Sequence, residues 1–238
     1  MSKYTIKITL LSDTTFGRGD GVAGLVDQEV EHDRYGFPYL RGRTLKGLLS
    51  EECDNLVAVL SDENQRQHWQ KISNELFGVP GSTLGTQGKI HLGDACLPSD
   101  LRTEIAAQID SEEKKKQNDK KYKPKLTSTD ILESLTTIRR QTAIDTETGI
   151  SADHSLRSAR VILRELIFES NILFETELDE NSDDDQDMLA LLTVGTLALR
   201  RIGSGRNRGK GHVKCSLYDS AQEITKNMNY IQRFGRNK

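Results

Sequence analysis

Cysteine, proline and aromatic residues are scarce in this chain. Of 238 residues only three are cysteine, four are proline and 5% are aromatic, with a single tryptophan. Cys53, Cys96 and Cys215 are odd in number, far apart and form no C-x-x-C pair. That argues against a disulfide framework and a structural zinc site, and predicts a reducing, cytoplasmic setting. Long hydrophobic runs are missing too: the longest, Leu189 to Leu199, is too short to cross a membrane. "MSKYTIKITLLSDT" alternates polar and apolar residues, so no signal peptide is expected there. No stretch repeats, and no second domain is apparent, so one soluble domain over 1–238 is expected.

Charge is plentiful, and it is segregated. The net charge is only -3, yet "ETELDENSDDDQD" (Glu175 to Asp187) is acidic throughout and reads as a solvated loop. Arg200 to Lys238 instead carries ten Lys or Arg against only Asp219 and Glu223. Such segregation builds one basic face on an acidic protein. It is densest in "RRIGSGRNRGKGHVKCSL" (Arg200 to Leu217), with six basic residues, four glycines and no carboxylate. Glycine lets a backbone approach a ligand closely, and arginine pairs with phosphate through a planar fork. The familiar nucleotide motifs do not fit this stretch. A P-loop needs G-x-x-x-x-G-K-[ST] between strand and helix, whereas Gly203 to Gly209 is one residue too long and Gly211 follows Lys210. The dinucleotide fingerprint fails at Arg208, where its third glycine would stand.

Along the chain, Tyr4, Ile6, Ile8 and Leu10 alternate with polar residues and predict a strand. A long Gly/Asp-rich loop follows, with a short extended piece near Val26 to Glu31. Helical spacing marks "RTLKGLLSEECDNLVAVLS" and "ENQRQHWQKISNELFG", the latter closed by Gly78. "GKIHLGDA" reads as a strand and "SDLRTEIAAQID" as a helix, while "SEEKKKQNDKKYKPKLTS" reads as a mobile basic insertion. Leu135 to Ala159 resembles an irregular hairpin, followed by strands at Val161 to Phe168 and Asn171 to Leu178. A helix from Asp187 to Arg201, the glycine loop and a strand from His212 to Leu217 complete the order. The expected fold class is α+β, a single ferredoxin-like (RRM-like) βαββαβ core with large insertions. The core is expected at about 3–11, 42–60, 88–95, 161–178 and 187–217. Insertions fall at about 12–41 and 96–134, the hairpin at about 135–160, and a basic tail at 219–238.

"YLRGRTLKG", "ELFG" before "GKIHLGDA", "LRSARVILRELIFESNILFETEL" and the glycine loop stand in one order along the chain. Together they resemble the RAMP superfamily of CRISPR–Cas systems, in particular the backbone subunits of type III effector complexes. The resemblance implies a glycine loop lying against guide RNA, with Gly203, Gly205, Gly209 and Gly211 bringing amides to phosphates that Arg206, Arg208 and Lys210 neutralise. It implies that Lys46 in "YLRGRTLKG" meets a phosphate at the start of the first helix, and that Arg41 and Arg43 before it also bind RNA. It makes the hairpin the family's thumb, with Arg139 and Arg140 as backbone contacts and Ile138 or Ile144 as wedges. Asp27, in "GLVDQEVEHDRYGFPYLRGRTLKG", matches the family's cleaving aspartate, with Gln28 and Glu29 departing from the small residue and proline of many relatives. The implied reaction is attack of a ribose 2′-hydroxyl on the adjacent phosphate of target RNA. Asp27 would act as base or hold a divalent metal, Mg2+ or Mn2+.

The implied partners are crRNA, complementary target RNA and other effector subunits, including neighbouring backbone subunits in a filament. His32 and Asp33 share the loop as lesser catalytic candidates, though Asp33 also reads as a turn residue. Three alternatives stand beside this one. The first is the same scaffold without cleavage. The second is a metal-independent, histidine-dependent endoribonuclease that processes the CRISPR transcript, of which only one ferredoxin-like half is visible. The third is a general RNA-recognition module, which "KYTIKITL" and "VILRELIF" disfavour because they lack base-stacking aromatics.

Overall fold

The alternation in "YTIKITL" becomes strand β1 (Tyr4–Leu10), whose Tyr4, Ile6, Ile8 and Leu10 are all buried. In the computed structural model, residues 3–79, 81, 87–144, 147, 149–150, 152, 155–179, 181–220 and 222–235 are described. β1 lies centrally, between β5 (Ile167–Phe174) and β6 (Val213–Asp219), and antiparallel to both. β2 (Ile90–Leu92) pairs antiparallel with the far edge of β5, and β7 (Gln222–Glu223) extends the sheet beyond β6. The order is therefore β2-β5-β1-β6-β7.

Helix α1 (Gly42–Ala58) leads from β1 towards β2, and α5 (Asp183–Ala198) leads from β5 to β6. Each βαβ unit holds a strand of the other between its own two. That interleaving is the split βαβ arrangement expected from the element order. Leu45, Leu49, Cys53 and Val57 of α1 pack with the apolar run Met188 to Leu192 of α5 in one core. The two helices cross closely at Gly195, where a Cβ would lie 2.3 Å from Cys53 Sγ. Helix α2 (Glu63–Phe77) packs alongside and ends, as its sequence predicts, on Gly78 with φ 87°.

Four expectations need correction. The segment "SEEKKKQN" is no loop: α3 runs from Ser99 to Asn118, because Glu and Lys are good helix formers even without an apolar stripe. Buried Glu112 then gathers Lys115 Nζ, Tyr122 Oη and the Lys125 amide, pinning the following turn ahead of α4 (Ser128–Leu135). The second correction concerns the strands after the hairpin. Val161 and Ile162 close β4 (Arg157–Ile162), the chain turns at Glu165 with φ 74°, and a single strand, β5, follows where two were expected. No glycine or proline marks that turn, so the apolar run conceals it.

Third, α5 starts at Asp183, within the acidic run expected as a loop, with Ser182 accepting from the Asp185 amide. Acidic side chains suit the positive end of the helix dipole. Fourth, the basic tail contains α6 (Met228–Gly235), which packs on the core through Phe234 against Trp69 and Arg233 Nε on Asp187 at 2.5 Å. Among the described residues, no helix is long and apolar enough to cross a membrane.

The expected arm is present. β3 (Thr136–Gln141) and β4 pair antiparallel in a sheet of their own, from Thr136↔Ile162 to Gln141↔Arg157. Several residues of its expected tip (145, 146, 148, 151, 153 and 154) lie outside the described set.

Candidate nucleic-acid interface

Between α5 and β6 the glycine loop folds back over the segment that leaves β1. Ser204 N donates to the Thr15 carbonyl at 2.8 Å, and Ile202 N to the Gly211 carbonyl at 2.9 Å. Two of its glycines are fixed by space as well as by conformation. A Cβ on Gly203 (φ 80°) would sit 2.6 Å from the Thr15 carbonyl oxygen, and one on Gly211 (φ 70°) only 1.8 Å from that of Ile202. The glycines thus serve first to fold the loop. They present Arg206 to Arg208 as one 3-10 turn between left-handed Gly205 and Gly209.

That turn forms one wall of a groove of about 610 Å³, whose other wall is the base of the arm and the loop after β1. Arg139, Arg157, Arg206, Arg208 and Lys210 line it, with Asp27 the one carboxylate among the described lining residues. Two of the cations are already paired from outside the groove. Arg139 binds Asp13 at 2.8 Å, and Arg206 binds both oxygens of Glu51 at 3.0 and 2.8 Å. Arg208 and Lys210 have no carboxylate partner among the described residues. The excess of positive charge and the loop geometry suit a polyanion.

Asp27 is exposed, and its place is set by β4. Its Oδ2 accepts from the Ser158 amide at 2.6 Å and from Ser158 Oγ at 3.2 Å, while its own amide donates to the Ser158 carbonyl at 2.9 Å. Those donors, the backbone one first, hold the Asp27 carboxyl below the usual carboxylate range. Two residues on, Glu29 is buried and accepts from Arg160 Nε at 2.8 Å, Arg160 being buried as well. The departure from the family pattern at Glu29 therefore has a partner in the arm.

The other predicted residues lie elsewhere. Lys46 is half-buried and donates to the Ile90 carbonyl at 2.9 Å, and burial lowers its pKa. The α1 N-terminus is also occupied, because Gly42 N donates to Asp94 Oδ1 at 2.7 Å. The structure does not bring Lys46 to the glycine loop. Arg41 binds Glu31 at 2.7 Å and lines a smaller neighbouring pocket that shares Gly203, Ser204 and Arg206 with the groove. Arg43 and Arg140 are exposed, and neither lines the groove. Ile144 is 69% exposed, and Ile138 is half-buried on β3.

His32 is half-buried, its Nδ1 3.0 Å from the Asp33 carbonyl, and it does not line the groove. Asp33 is a turn residue. One oxygen accepts from the amides of Tyr35 and Phe37, and the other takes Arg102 at 3.1 Å.

Arg157 and Ser158 are not foreseen by the sequence reading. Their one signal is "LRSAR" following the arm, where Arg157 and Ala159 alternate with Ser158 and Arg160 across a strand. No such signal ties Ser158 to Asp27.

Asp27 is the groove group that could help hold a divalent cation, in a site where substrate phosphates would supply further ligands. Among the described residues no three His, Cys, Asp or Glu side chains form a metal-holding group. Asp27 Oδ2 is committed to Ser158, which leaves Oδ1 free of a Ser158 contact.

Comparison with known proteins adds the family. A solved type III-B Cmr-beta complex bound to cognate target RNA contains a chain of the same fold, with TM-score 0.59 and 13% identity over 90% of this chain and 96% of that one. Its apo form gives TM-score 0.57 and 13% identity, covering 94% and 97%. A type IV-B CRISPR complex gives 0.54 and 12%, covering 92% and 91%. No curated protein matches the sequence. The sequence pattern of the RAMP superfamily matches residues 7–214, most of the chain and every element of the groove, and the chain belongs to that superfamily.

Proposed function

We propose that this chain is a subunit of a CRISPR effector complex that binds guide RNA along its cationic groove and cleaves paired target RNA at Asp27. One observation carries this: among the described lining residues Asp27 is the one carboxylate, in the same groove as the glycine loop and five cationic side chains. The fold shared with chains of type III-B and type IV-B CRISPR complexes supports the setting.

The chemistry follows from the groups available. Arg157, Arg208 and Lys210 bind phosphate and offset the charge that grows on it as a 2′-oxygen attacks. The 2′-oxygen–phosphorus bond forms and the phosphorus–5′-oxygen bond breaks, leaving a cyclic phosphate and a 5′-hydroxyl. Asp27 Oδ2 is held by Ser158, so Oδ1 is the oxygen that takes the 2′-hydroxyl proton, and a solvent water supplies the proton that turns the leaving 5′-oxygen into a hydroxyl.

A second reading, RNA binding without cleavage, is favoured by the same clasp, because a carboxylate bound by Ser158 can serve purely to seat the loop. One experiment separates the two. Complementary labelled RNA is incubated with assembled complexes carrying wild-type chain, Asp27→Asn or His32→Ala. The cleavage function predicts intact binding and a loss of cutting by orders of magnitude for Asp27→Asn alone. Full cutting by Asp27→Asn would leave the scaffold reading. Loss of cutting in His32→Ala alone would favour the histidine-dependent processing alternative.

A further inference from the structure

Loop residues 27–30 do more than carry Asp27 past the groove. Gln28 bridges Ala159 in parallel, and Arg160 N donates to the Gln28 carbonyl at 2.9 Å. The loop therefore runs as a short added strand on the edge of β4 opposite β3. Along this strand pair, Asp27 meets Ser158, and two residues on Glu29 meets Arg160. Side chains two apart on a strand share a face, so both contacts belong to one register.

The two contacts differ in one respect. Asp27–Ser158 is exposed in the groove, whereas Glu29–Arg160 is buried. Arg160 is held further by Thr136 Oγ1, which accepts from Nη1 at 3.3 Å, and its carbonyl accepts from Thr15 Oγ1 at 3.0 Å. A one-residue slip would bury Gln28 and leave Arg160 without its carboxylate, a heavy penalty in the interior. Gly21 closes the loop from behind, since a Cβ there would lie 2.4 Å from the Val26 carbonyl oxygen and 2.6 Å from that of Asp27.

We propose that the buried Glu29–Arg160 pair locks the register of this added strand and that Ser158 is the positioning residue through which the arm aims Asp27 into the groove. The proposal rests on the cleavage function above. It goes beyond it in making the seat of the arm, and not the loop alone, responsible for the cleaving group's geometry. Ser158 touches neither RNA nor the reacting atoms in this scheme; it acts through Asp27.

The test uses the assembled complex under single-turnover conditions, with Asp27→Asn, Ser158→Ala, Ser158→Thr and the double variant Asp27→Asn/Ser158→Ala. Ser158→Ala should slow cutting roughly tenfold at unchanged target affinity, since the backbone donor remains while the hydroxyl is removed. Threonine should restore the rate, and the double variant should match Asp27→Asn. If Asp27→Asn is inactive while Ser158→Ala cuts at the wild-type rate, the positioning role is overturned and the cleavage function stands.

A second measurement is independent of cutting. Hydrogen exchange at the Ser158 amide should accelerate roughly tenfold in Asp27→Ala, because its acceptor is gone. An unchanged exchange rate overturns the clasp itself, whatever the activities. An inactive Ser158→Ala that also loses RNA affinity overturns the proposal, because Ser158 would then serve binding.

Discussion

Arg206 of the glycine loop and Glu51 of α1 form a two-oxygen ion pair, at 3.0 and 2.8 Å, across the rim of the groove. A guanidinium so held is aimed, and its charge is partly spent. Glu51→Gln should therefore tighten RNA binding a few-fold and steepen its dependence on salt. Alanine at Arg208 and Lys210 should do the reverse, flattening the slope of log affinity against log salt by about 0.7 for each single-strand phosphate left without its cation. Titrations of labelled RNA at several salt concentrations measure both. An unchanged slope in the Arg208/Lys210 variant would remove the glycine loop from the interface.

Lys46 offers the opposite expectation. Its ammonium faces the Ile90 carbonyl, away from the loop, so Lys46→Met should leave RNA affinity and salt slope unaltered. Burial lowers its pKa in the folded chain, with Glu175 opposing that shift. Between the folded and unfolded pKa values the unfolded chain holds more protons, so wild-type stability should rise relative to Lys46→Met as pH climbs towards 10.5. Denaturant midpoints across alkaline pH measure the trend, and a falling difference would contradict it.

The buried pair beneath the groove predicts a stability effect. Arg160→Met leaves Glu29 buried without its partner and should cost about 3–5 kcal/mol in urea unfolding. Glu29→Met/Arg160→Met removes both charges and should recover most of that loss. Equal costs for the single and double variants would mean that the arm's packing, and not the charge pair, is what matters there.

Asp27 supplies a prediction about acid. Hydrogen bonds from Ser158 depress its folded pKa, so the carboxylate persists below the usual range. Its contribution to stability is present above the unfolded value and disappears only as pH falls through the depressed one. A carbon-detected NMR titration of the Asp27 carboxyl should show a midpoint below 3.8, moving upward in Ser158→Ala. Cutting should not lose its carboxylate anywhere between pH 5 and 8.

Much of the core is legible because its periodicities are clean. The period of two in "YTIKITL" and the helical spacing of Leu45, Leu49 and Cys53 each point at one interior. The glycine loop and Asp27 are legible through the ordered motifs around them. What stays hidden depends on partners distant in sequence. Ser158 meets Asp27 across 131 residues, and a serine in a polar stretch carries no mark of that. Lys46 shows the same limit: its motif places it at a helix start, while its bond to the Ile90 carbonyl of β2 carries no mark in the sequence. The second half of α3 is hard to see for a simpler reason: a polar helix without an apolar stripe resembles a loop, whereas α6 has one in Tyr230, Ile231 and Phe234 but is only eight residues long.

The position of β1 has a consequence for how the protein is made. Tyr4 pairs with Ile172 on one side and Asp219 on the other, so β1 waits until about 210 further residues have been made before both its edges are closed. Pairings so far apart in sequence form slowly, because long loops must close first. The groove shares that fate, since its walls come from the segments around residues 27, 139, 158 and 208. An emerging chain thus has no complete groove to offer, and a ribosome-bound fragment ending before β6 should capture no RNA. On the function proposed above, assembly on guide RNA has to wait until translation has passed β6.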